Sequence, residues 1–300
     1  ITEFGWSRYY LKSISMGETY PVLFGFKWLI PLKFKKFNYY SFTFDNKLVQ
    51  IGIGSIFKVF NLFVNIYNFE EKELNTNVYS KIYLSNPTLE NLLIDDPFDC
   101  KKNKFNFEDI NFNLAVSSEK LNDVCEILIN LKINNIELNS TIYQNTKDEN
   151  VFDITPISPE GNYFFYGTKI YNNVCKAKVN LNDKNVIDKN KDCIGSVDYG
   201  RGVFYYRTSW KWASFSGKDS TGDLITLNFG SGATHPNSKS NEDFAKYNKK
   251  IIRLNPVDII YEKENLFNGV KIQSFPFNEN KYNYAEIYVE VYHEHVNQTN

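Results

Sequence analysis

The chain is predicted to be mainly β: two antiparallel barrels or half-barrels in tandem, with little helix. Three observations lead there. Aromatic residues make up 17% of the sequence, with 25 Phe and 21 Tyr beside a single Met, and wide rings and branched side chains suit a pleated surface. Apolar residues in many segments recur with period two. Turn residues (Gly, Asn, Asp and Pro) separate these segments at intervals of about 8 to 12 residues, the punctuation of a sandwich or barrel.

The first strands are written most plainly. Tyr39 to Phe44 alternates rings with polar neighbours, Asp45-Asn46 supplies a turn, and Leu48 to Ile53 returns, which is a hairpin pattern. Phe57 to Tyr67 is an apolar run with Asn61 and Asn65 set into it, closed by the charged turn Glu70-Glu71-Lys72-Glu73. Phe105 to Val116 alternates again, and Val124 to Ile133 fits strand or amphipathic helix, with strand preferred. The polar stretch Asn139 to Asn150, followed by Pro156 and Pro159, reads as the boundary between residues 1–155 and 156–300. Beyond it, strands are expected around Cys175 to Leu181, Val203 to Ser214, Asp223 to Phe229, Ile251 to Leu254, Val257 to Tyr261, Val270 to Phe275 and Ala285 to Tyr292.

Composition excludes several functions. Lys plus Arg number 34 against 35 Asp plus Glu, a net charge of -1, so the basic footprint of a nucleic-acid binder is missing. No uninterrupted apolar stretch is long enough for an ordinary spanning helix, and the chain is expected to be soluble. The 39 Asn match an AT-rich coding bias and carry little functional weight. Cys100, Cys125, Cys175 and Cys193 form no Cys-x-x-Cys pair, so neither a zinc knuckle nor a thioredoxin-like motif is present. A bridge between Cys175 and Cys193 is compatible with an oxidising compartment, but the count is too low for a disulfide scaffold. The compartment stays open, leaning to the cytoplasm; the start at Ile1 fits a processed N-terminus.

Chemistry concentrates in Asp198 to Gly217, DYGRGVFYYRTSWKWASFSG. On one extended strand Phe204, Tyr206, Thr208, Trp210 and Trp212 face one way, and Arg201, Tyr205, Arg207 and Lys211 the other. Two Trp at i and i+2 make a wall for flat apolar ligands, or else fill a barrel core. Other motifs are weaker. His293-Glu294-His295 places two imidazoles on one strand face, without a further ligand at metal spacing, so no metal is assigned. Gly230-Ser231-Gly232 lacks the Lys of a phosphate loop. No Gly-x-Ser-x-Gly elbow is present, which disfavours a hydrolase.

Several blocks together resemble a known family: Gly5-Trp6-Ser7-Arg8, Asp198-Tyr199-Gly200-Arg201-Gly202, Tyr206 to Ser214 with Ser216-Gly217, Leu227-Asn228-Phe229-Gly230 with Gly232, and Glu290-Val291-Tyr292-His293. In this order they resemble the domain of unknown function 2804 family, from Gly5 to His293, with about Ile53 to Tyr163 matching by pattern alone. The resemblance implies paired lipocalin-like barrels of the kind also seen in carotenoid hydratases, tocopherol cyclases and lipocalin-type cyclases, an architecture that does not itself carry activity.

The expected function is binding of a small apolar ligand, a lipid or isoprenoid, by Tyr199, Arg201, Tyr206, Arg207, Trp210 and Trp212. No cofactor, nucleic acid or integral membrane segment is expected. One alternative is a cofactor-independent cyclase, isomerase or hydratase with Asp198 as acid, because rings stabilise a developing carbocation beside a proton donor. Another is a structural subunit of a larger assembly.

Overall fold

Strands and turns account for all the regular structure in the computed structural model, which describes residues 5–8, 34–56, 59–71, 73–82, 102–107, 110–119, 124–161, 163–187, 192–205, 208, 210–232, 242–254, 257–260, 270–274 and 286–289. The first sheet holds β1 (Gly5–Ser7), β2 (Phe34–Phe44), β3 (Lys47–Ile56), β4 (Val59–Asn68), β5 (Glu73–Ile82), β6 (Lys102–Phe107) and β7 (Ile110–Glu119). It continues with β8 (Val124–Ile133), β9 (Ile136–Asn145), β10 (Val151–Pro156), β11 (Phe164–Leu181), β12 (Lys184–Ile187) and β13 (Asp192–Val203). A second sheet is β14 (Lys211–Lys218), β15 (Leu224–Ser231), β16 (Phe244–Tyr247) and β17 (Lys250–Arg253), and a third is β18 (Val257–Ile260), β19 (Val270–Ser274) and β20 (Glu286–Val289).

All ladders are antiparallel, and the main path runs β5-β4-β3-β2-β13-β11-β9-β8-β7-β6. The sheet curls into a half-barrel. Residues of β4 and β8, six places apart along that path, share one apolar core, and Asn134 in the β8–β9 turn donates to Asn77 of β5 at 2.8 Å. Flat strands could make neither contact. The core takes alternate residues: Tyr40 and Phe42, Val49 and Ile51, Phe60 and Leu62, Ile127 and Ile129, all fully or almost fully buried. Each such side chain contributes about 1.5–3 kcal/mol relative to exposure, which is why period two was legible in the sequence.

Turn chemistry matches the backbone. Asp45, Asn134 and Asn248 sit at positive φ in the β2–β3, β8–β9 and β16–β17 connections, and Asn182 and Asp183 both do so between β11 and β12. Asn and Asp tolerate this region better than other non-glycine residues.

Three local expectations change. The polar stretch 139–150 is strand as far as Asn145: Ser140, Ile142 and Gln144 point into the core while their neighbours face out. Its polar residues disguised the alternation. No single strand runs from Val203 to Ser214; β13 ends at Val203 and β14 begins at Lys211, because the chain leaves the first sheet there and pairs with β15 in the second. Cys175 and Cys193 are indeed opposite one another in the β11–β13 ladder, but both are buried and no disulfide joins them. Val124–Ile133 is strand, as preferred. Residue 155 lies inside β10, and ladders β2–β13 and β9–β11 join strands from either side of it.

One irregularity positions the site. In β11 the register shifts between Ile170 and Asn173, and Asn172 takes φ 61. Before this bulge, Ile170 faces the core and Phe165, Lys169 and Tyr171 face away from it; after it, Cys175, Ala177 and Val179 face the core and Val174 is exposed. An inserted residue exchanges the two faces of a strand. Lys169 thereby reaches the side opposite the main core without disturbing the alternation further on.

Candidate functional site

The face turned away from the main core carries a cavity of about 310 Å³. Strand alternation determines its lining. Phe37 and Tyr39 are the out-facing neighbours of Tyr40 on β2, Gly52 and Gly54 those of Ile53 on β3, and Phe63 that of Leu62 on β4. Phe165 and Lys169 come from β11 and Asp198 from β13. Trp212 of β14 and Glu242, just before β16, close the cavity from the second sheet, and Phe204 and Trp210 in the crossing segment complete it.

Missing side chains make the space. Gly52 pairs directly with Phe63, and a Cβ at Gly52 would run into that ring; one at Gly200 would strike both Phe37 and Phe165. These glycines let rings lie flat over the neighbouring backbone. Phe37 and Phe165 stack with planes 5° apart and centroids 6.0 Å apart, and Tyr39 meets Trp212 edge-on at 5.4 Å. Such pairs add about 0.5–1.5 kcal/mol to their burial and hold the walls in place.

Trp212 is further fixed by a bond from its indole Nε1–H to Asn228 Oδ1 at 2.9 Å, an oxygen that also accepts from Tyr171 Oη at 3.1 Å. Asn228 in turn donates to the Glu242 carbonyl at 2.7 Å. On the same interface, buried Lys246 donates to the Tyr171 carbonyl at 2.9 Å, and burial pushes its ammonium pKa down to about 8, against the pull of Asp148 and Glu149. These contacts seat the second sheet on the first.

The closed end of the cavity is charged. Lys169 Nζ lies 2.5 Å from Asp198 Oδ2 and 2.8 Å from Glu242 Oε2, with the three side chains 2%, 6% and 11% exposed. Burial alone would lower the Lys169 pKa, but Asp198 and Glu242 outweigh it and hold the ammonium well above its ordinary range. Burial raises the Asp198 carboxyl; Lys169 pulls it down and Glu242 adds to the rise. Among the described residues Asp198 Oδ1 has no hydrogen-bond partner. Nearby, fully buried Asp153 accepts from Thr155 Oγ1 at 2.9 Å. Desolvation, with Glu242 close, pushes its pKa up to about 8.

The residues singled out in the sequence separate. Asp198, Trp210 and Trp212 line the cavity, Trp210 half exposed at its rim with its ring 6.4 Å from that of Phe204. Tyr199 and Arg201 follow Asp198 on the opposite face. Tyr199 packs edge-on against core Tyr40, and the Arg201 guanidinium sits 5.1 Å from the centroid of the Tyr166 ring. The cation beside Asp198 is instead Lys169. Tyr206 and Arg207 lie outside the described residues, as do His235, His293 and His295. Among the described residues no group of three His, Cys, Asp or Glu is arranged to hold a metal ion, and no helix is long and apolar enough to cross a membrane.

Lys169, Glu242 and Asp153 escaped the sequence reading. Lys169 left one trace, as the only charge between Phe164 and Cys175. Glu242, in a polar connection, left none.

A family model described as Domain of unknown function (DUF2804) matches residues 1–282. The chain belongs to this family. The DUF2804 chain is also similar to two solved structures. A protein described as an ATTH from Nitrosomonas europaea is 10% identical, with a TM-score of 0.44 over 85% of this chain and 83% of that one. Kievitone hydratase from Nectria haematococca is 13% identical, with a TM-score of 0.47 over 85% of this chain and 77% of that one. No curated protein matches this DUF2804 sequence.

Proposed function

We propose that the cavity binds a small apolar ligand, lying between aromatic walls with its polar end at Lys169, Asp198 and Glu242. One observation supports this above the others: a ring-lined space of about 310 Å³ ends on a buried ion-pair cluster and abuts half-exposed Trp210. A packed core would have filled that volume, and a few polar groups at the end of an apolar pocket are what orients a ligand. Native mass spectrometry of the purified protein should find a co-purified small molecule. Titration with 2-methoxynaphthalene should quench tryptophan fluorescence saturably. A Cβ at Gly54 would meet only the Lys36 carbonyl oxygen, at 3.7 Å, so Gly54→Leu should fold, fill the space and abolish the quenching. Absence of saturable binding, or binding untouched by Gly54→Leu, would sink the proposal.

A second reading, an acid-dependent cyclase, isomerase or hydratase acting on such a molecule, is supported by the Asp198 carboxyl. It is buried, raised by desolvation and placed among rings that tolerate a developing cation. On this reading Asp198→Asn keeps probe binding and loses turnover.

A further inference from the structure

The chemistry of the closed end narrows the ligand further, given the pocket reading above. Two hydrogen-bonding capacities stand open there. Asp198 Oδ1 is an acceptor on a residue 4% exposed, with no partner among the described residues. The Lys169 ammonium has three N–H groups, of which Asp198 and Glu242 occupy two. Among the described residues lining the cavity Lys169 is the single cation, shared between two carboxylates.

We propose that this end is a hydroxyl-recognition site, and that the ligand is an apolar alcohol or phenol whose oxygen accepts from Lys169 Nζ and whose O–H donates to Asp198 Oδ1. The reasoning is by elimination. A carboxylate brings a third negative charge to one ammonium already shared by two, in surroundings where charges are poorly screened. An ammonium suits the net negative charge and donates to Asp198 Oδ1, but it has no lone pair to accept from Lys169 and leaves that N–H unanswered. An ether or ketone accepts from Lys169 but leaves Asp198 Oδ1 buried and unpaired, a position worth about 10-fold in affinity. Of these groups only a hydroxyl gives and receives through one small oxygen. Among the described residues Lys35 is a further cation near the cavity, its Nζ 5.3 Å from the centroid of the Phe204 ring.

The test is a titration of the full chain with four naphthalenes of equal body: 2-naphthalenemethanol, its methyl ether, 2-naphthoate and 2-naphthylmethylamine. The alcohol should bind tightest, by about 10-fold or more over each of the others. In Asp198→Asn the amide oxygen turns to Lys169 and its N–H faces the cavity, so the alcohol should lose its advantage over the ether. If that variant does not fold, the ranking in the unaltered protein decides alone. Should the naphthoate or the ether equal the alcohol while Gly54→Leu still blocks binding, the hydroxyl assignment falls and the pocket stands. Failure of all four to bind removes both.

Discussion

Lys169 and Asp198 are direct cross-strand partners in the β11–β13 ladder, and their side chains meet at 2.5 Å on the face opposite the main core. Placed there, the pair is withdrawn from water by the second sheet and by Glu242, which comes from the connection just before β16. A buried ion pair gains little over an apolar replacement of both partners, but breaking it exposes the survivor's full desolvation cost.

Replacement of Lys169 alone therefore has a defined consequence. Lys169→Met keeps the volume but leaves Asp198 and Glu242 without their cation, and should cost about 3–5 kcal/mol at neutral pH. The deficit should shrink in acid, because an unpaired buried carboxyl has a raised folded pKa and its stability is lost as pH rises through that value. Urea unfolding at several pH values measures this; a deficit that does not vary with pH would contradict it.

The glycines under the aromatic walls should divide sharply. Gly52→Ala and Gly200→Ala force Phe63, or Phe37 and Phe165, to move, and each should lower stability by about 1–3 kcal/mol. Gly54→Ala meets ordinary contact only and should stay within about 0.5 kcal/mol. Thermal melts of the three variants separate them, and equal losses at all three positions would overturn the account of the walls.

Asp153 gives a pH dependence of known sign. Its folded pKa, about 8, lies above the ordinary 3.8. Between those values the folded protein holds a proton that the unfolded chain has released. Stability is thus fully present below the ordinary carboxylate pKa and falls as pH rises towards 8, at up to about 1.4 kcal/mol per pH unit. Asp153→Asn, which imitates the protonated form and keeps an acceptor for Thr155, should remove this slope and exceed the unaltered protein in stability at pH 8. An unchanged slope would assign the proton elsewhere.

The strands were legible because burial on one face of a sheet imposes period two, and Tyr39 to Phe44 and Leu48 to Ile53 show it directly, whereas Val124 to Ile133 fitted strand or helix until its pairing with β7 and β9 was seen. The site was legible only in part. Asp198, Trp210 and Trp212 stood out by residue type, and all three line the cavity. Tyr199 and Arg201, chosen beside them, share a strand with Asp198 but face the other way, since adjacent residues on a strand point to opposite sides.

What the sequence determined by itself was the β class, the family and most strand positions, because these follow from local alternation and turn chemistry within a few residues. Tertiary structure alone decided the pairing of β2 with β13, some 150 residues on in the chain, and the curl that gives β4 and β8 a common core. It also decided the meeting of Lys169, Asp198 and Glu242. Lys169 comes to this face through a bulge at Asn172 that no periodicity announces, and Glu242 through the docking of a second sheet. An ion pair between distant segments has no local pattern; its energy depends on burial, and burial is a property of the folded whole.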